Sequence, residues 1–87
     1  MAMIDDVIDQ LARDVLAAMD ETGDDRLHDK IAKVLLDASP TTQEVFIKSI
    51  RALIAERRAR EFLDRTLAAR RSGGAAPEAP RGPDAGH

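Results

Sequence analysis

The sequence predicts an all-α fold: a small antiparallel bundle of three helices, the third of them long, followed by a disordered C-terminal tail. Three observations lead there. Apolar residues recur at helical spacing through three successive stretches; no stretch alternates with the period of two that a half-buried strand shows; and Gly, Pro and Ser gather at the joints and after Arg71. The expected division is a helical bundle domain over 1–71 and a flexible Gly/Pro/Ala-rich tail over 72–87.

The first helix is expected from about Ile4 to Met19. Ile4, Val7, Ile8, Leu11, Val15, Ala18 and Met19 fall on one face, opposite Asp6, Asp9, Arg13 and Asp20. Asp5 and Asp6 stand in its first turn, where carboxylates complement the positive end of the helix dipole. It stops at Gly23, which suits a left-handed helix end, and Thr22 with Asp25 has the form of a capping box for the second helix.

That second helix, about Asp24 to Ala38, places Leu27, Ile31, Val34, Leu35 and Ala38 on one stripe, with Leu36 pointing nearly the opposite way. Ser39-Pro40 then starts a third helix, since Ser is a good N-cap and Pro is favoured at the first helical position. Joints this short fold consecutive helices back as hairpins.

In the third stretch the stripe Phe46, Ile47, Ile50, Leu53, Ile54 continues onto Arg57, Glu61 and Asp64, so the apolar face breaks. A second stripe of Ala59, Phe62, Leu63, Thr66 and Leu67 begins roughly 160° around the axis. No Pro or Gly lies between Thr41 and Ser72 to force a break. Either one helix of about thirty residues presents two opposed faces, or a bend near Glu56–Ala59 makes a fourth helix.

Composition limits the chemistry. The 87 residues include no Cys, Trp or Tyr and two Phe, so a single small core must come from aliphatic side chains, without disulfide or thiolate metal ligation. Residues 1–47 hold 11 acids against 4 bases, residues 48–71 hold 3 against 8, and the net charge of −3 conceals that asymmetry. The loop acids Asp20, Glu21, Asp24 and Asp25 lack EF-hand spacing, with Ile31 where the twelfth-position Glu belongs. His28 beside Lys30 fits a phosphorelay histidine only loosely and reads as a boundary residue; His87 ends the tail. No phosphate loop, thiol nucleophile or hydroxyl–histidine pair is visible, so neither catalysis nor a cofactor is expected. An acidic start and the lack of a long apolar run fit a cytoplasmic protein with no membrane partner.

Two functional readings remain. In the first, a non-enzymatic interaction module, regulator or accessory subunit, binds itself as a homodimer or a larger protein with an acidic surface. Its face would be Leu36, Arg57, Arg58, Ala59, Arg60, Phe62, Leu63, Arg65 and Leu67, with Phe62 and Leu67 as central anchors flanked by Arg58 and Arg65; the plainer reading of the arginines is a solvated helix face with Glu56–Arg60 and Glu61–Arg65 pairs. In the second, a helix-turn-helix regulator turns Thr41, Thr42, Gln43, Lys48 and Arg51 toward DNA. The acidic first half and the sequence pI near 5.3 oppose it.

Overall fold

The computed structural model describes residues 3–80 and contains three helices, α1 (Met3–Thr22), α2 (Leu27–Ala38) and α3 (Pro40–Ser72), with no strand among the described residues. Residues up to Ala55 form one compact unit and those from Glu56 on a second. Helix α3 runs through both without a break, so the alternative of a separate fourth helix does not arise.

The first unit is a helical bundle whose core comprises Ile8, Ala12 and Val15 of α1, Ala32 of α2, and Phe46 and Ile50 of α3. Leu11, Leu16, Met19, Leu27, Ile31, Leu35, Val45, Ile47, Leu53 and Ile54 pack around them. Phe46 is fully buried and is the largest side chain at the centre. The alanines matter because they bring helix backbones close: Ala12 has no accessible surface, and a longer side chain there would displace a neighbour.

Two corrections to the sequence reading concern which way the helices face. Ile4 and Val7 lie on the predicted stripe of α1 yet are exposed, and Ala12 and Leu16 turn inward instead. Val34 and Ala38 of α2 are likewise exposed while Ala32 is buried, so α2 is rolled toward its His28–Ala32 side. Large side chains dominate a stripe drawn from sequence, but packing beside other helices places the small residue at the closest approach.

The first joint also differs from the expected capping box. Thr22 is the last residue of α1; its hydroxyl donates to the Ala18 carbonyl at 2.7 Å and accepts the Asp24 N–H at 3.2 Å. Gly23, at φ +74°, gives its N–H to the Met19 carbonyl, as a left-handed helix end requires. Helix α2 starts without a side-chain cap, and Asp24 braces the turn ahead of it: its carboxylate accepts the Arg26 N–H at 3.0 Å and the Lys30 ammonium at 2.8 Å.

The second joint is as expected. Ser39 is extended (φ −165°, ψ 108°), the conformation favoured before proline, and its Oγ accepts the Thr42 N–H at 3.2 Å as the N-cap of α3. Helix α3 ends in a Schellman motif, with Gly73 at φ +76° donating to the Arg70 carbonyl and Gly74 to that of Ala69. Residues 74–80 carry no regular structure, and the remainder of the expected tail, 81–87, lies outside the described residues.

Candidate interaction surface

The second unit supplies most of the predicted face. Strong helix formers carry α3 past Ala55, and nothing in the sequence stops it before Ser72-Gly73-Gly74. At 100° per residue, Ala59, Phe62, Leu63 and Thr66 share one strip with Leu67 at its edge. Leu63 is 48% and Leu67 40% exposed, Ala59 is exposed, and Phe62 is half-buried. The Thr66 hydroxyl is turned back onto the Phe62 carbonyl at 2.9 Å, which removes its polarity from the strip.

Arginines border this strip. Arg58 and Arg65, both exposed, lie along one margin by helical spacing, and Arg60 lies beyond the other. Arg60 is held by Glu56, with Nε and Nη2 at 2.7 and 2.6 Å from Oε2, and this carboxylate raises the guanidinium pKa further above its ordinary value. Arg57 is half-buried and points to a different side of the helix from Phe62. The second expected pair, Glu61–Arg65, is not formed; at exposed sites such a pair gains little over hydration of both groups. Leu36, the remaining predicted residue, is 47% exposed on α2 and belongs to the first unit.

Surface recesses of other character lie in the first unit. A groove of about 550 Å³ lies between Asp5, Asp6 and Asp9 of α1 and Val45, Lys48 and Ser49 of α3. Another, about 460 Å³, is lined by Arg26, Lys30, Lys33, Gln43 and Ile47. A smaller one of about 120 Å³ has Phe46, Ile50 and Ile54 as its floor and His28 and Arg51 at its sides. His28 Nδ1 is buried without a hydrogen-bond partner, while Nε2 lies 3.6 Å from Asp29 Oδ1, so the ring edges the core with one nitrogen toward solvent.

Of the residues of the helix-turn-helix reading, Thr41, Lys48 and Arg51 are exposed. Both the N–H and the hydroxyl of Thr42 engage Ser39 Oγ, Gln43 is half-buried in a groove wall, and Lys48 faces the aspartates of α1. Among the described residues no group of three or more His, Cys, Asp or Glu is placed to hold a metal ion, and no helix is long and apolar enough to cross a membrane. No protein-family model, curated protein or solved structure matches this chain.

Proposed function

We propose that the chain is a small non-enzymatic interaction module, a regulator or accessory subunit, that acts through the second half of α3 and forms a homodimer through that face. The observation that supports this reading is the exposed Leu63 and Leu67 beside Phe62 on a stretch that carries six arginines against three acids over Glu56–Ser72. A helix that is apolar on one strip and basic on its margins has the makeup of a helix-on-helix docking element. Phe62 and Leu67 are its anchors, and the arginines steer encounter with an acidic surface and reject a basic one.

Sedimentation equilibrium of the wild type against Phe62→Asp plus Leu67→Asp tests it. The wild type self-associates at high micromolar concentration and the double variant does not; a monomeric wild type removes the homodimer. Titration with random-sequence duplex DNA at low salt is expected to show no binding, whereas binding that weakens steeply with salt would favour the nucleic-acid reading instead.

A further inference from the structure

A second apolar face is uncovered at the opposite end of the sequence. Met3, Ile4 and Val7 are 80%, 43% and 58% exposed, and they lie within about 100° of the circumference of α1. Of the core's α1 side chains, Ile8, Ala12 and Val15 turn to another side of the helix from Met3 and Val7, while Leu11 falls within the arc of the strip and Ile4 lies at its edge toward the core, so Met3 and Val7 are the part left outside the packing of the first unit. A short apolar strip of little more than one turn in the first unit and a longer one in the second are thus left exposed.

Their charges are opposite. Helix α1 carries Asp5, Asp6, Asp9, Asp14, Asp20 and Glu21 against the single Arg13, and Asp9 holds that arginine at 3.0 Å. By helical spacing Asp6, which also lines the groove it shares with Lys48, borders the Met3–Val7 strip, and Asp14 continues the line of the strip two turns on. In α3, Arg58 and Arg65 border the Phe62 strip while Glu61 and Asp64 point away from it. Stacking α3 strips of two copies on each other would set Arg58 and Arg65 among like charges, and stacking two α1 strips would do the same with aspartates. Only the crossed arrangement joins apolar to apolar and acid to base.

We infer that the acidic, apolar start of α1 in one copy is the occupant of the arginine-bordered α3 face of a second copy. This inference rests on the α3 face being a docking surface and names what docks there. Each contact joins two different patches, and in a two-fold homodimer it occurs twice, α1 of each copy against α3 of the other.

Charge exchange tests it in the full chain, with helicity checked by circular dichroism and association by sedimentation. Asp6→Arg plus Asp14→Arg weakens self-association by about tenfold or more, and so does Arg58→Glu plus Arg65→Glu, because each sets like charges against each other. The chain carrying all four exchanges associates again, since both patches are reversed together. Val7→Ser, which alters no charge and sits at an exposed position, weakens association independently of any effect on the first turn of α1.

If the α1 exchange associates as the wild type while the α3 exchange does not, the α3 face pairs with itself; the inference falls and the docking surface stands. Wild-type association in the α3 exchange overturns the crossed pairing, and loss of association in Phe62→Asp plus Leu67→Asp would then keep the α3 face as the docking surface. Failure of the fourfold exchange to recover, or a wild type that stays monomeric at high micromolar concentration, overturns the crossed pairing.

Discussion

Phe46 and Phe62 are the two aromatic residues of the chain, on the same helix and sixteen positions apart, yet they have opposite surroundings. Phe46 is fully buried among Ile8, Ala12, Val15, Ala32 and Ile50, whereas Phe62 is half-buried with exposed Leu63 and Leu67 beside it. A phenyl ring gains from leaving water in either place, but only at Phe46 does the chain itself supply the whole cover. The same residue type therefore reports folding in the first unit and, on the function proposed above, would report association in the second.

The largest expected effect is at Phe46. Phe46→Ala costs about 3–5 kcal/mol. A core of this size rarely supplies more than about 3–5 kcal/mol in total, so the variant is largely unfolded at room temperature by circular dichroism. Phe62→Ala, measured at low protein concentration where association is absent, leaves the urea midpoint of the first unit unchanged. Equal losses for the two would abolish the distinction.

The alanines sharpen the same contrast. Ala12 has no accessible surface, so Ala12→Leu forces α1 away from its neighbours and costs about 1–3 kcal/mol in urea unfolding. Ala68 is exposed on the second half of α3, and Ala68→Leu, which keeps a strong helix former, leaves the midpoint within about 0.5 kcal/mol. The two glycine helix ends form a third pair. Gly23 and Gly73 have φ of +74° and +76°, and a Cβ at either would meet nothing within 4 Å, so only backbone strain opposes substitution. Gly23→Ala costs about 1 kcal/mol, because that turn sets α2 against α1. Gly73→Ala has a similar local strain but loosens only the last turn of α3, and the first unit's midpoint does not move.

The three helices, their joints and the second stripe of α3 are legible in the sequence because each rests on local chemistry: 3.6-residue spacing, Gly23 at a helix end, Ser39-Pro40 at a helix start, and no breaker before Ser72. The roll of α1 and α2 about their own axes is not legible, since it depends on which small residue lets two backbones approach. Ala12 and Ala32 contribute little to a hydrophobic stripe and yet occupy the core, so periodicity points Ile4, Val7 and Val34 inward when they face outward. The same effect bears on the candidate surface. The arginine-bordered face of α3 can be read from its broken periodicity, while the strip at the start of α1 is hidden inside a stripe that looks fully used. The Schellman end of α3 does leave a signal, Ser72-Gly73-Gly74, in a stretch whose composition points only to a tail.

The smallest expected effect lies at Asp24 and depends on pH. Its carboxylate accepts hydrogen bonds from the Lys30 ammonium and, secondarily, the Arg26 N–H, and these hold its pKa below the ordinary value. A carboxyl depressed in the folded state stabilises the fold above its unfolded pKa of about 3.9 and loses that contribution as pH falls through the lower, folded value. Asp24→Asn keeps an oxygen for the Arg26 N–H but removes the charge that Lys30 sees. Thermal midpoints of wild type and variant should therefore differ slightly at about pH 6, and the gap should close as pH falls below about 4 and the wild-type carboxyl protonates. Added salt near neutral pH narrows the gap too, because the Lys30 and Asp24 side chains both reach solvent. A gap that persists unchanged at low pH would mean that Asp24 acts through its turn geometry alone, and the joint between α1 and α2 would then owe nothing to Lys30.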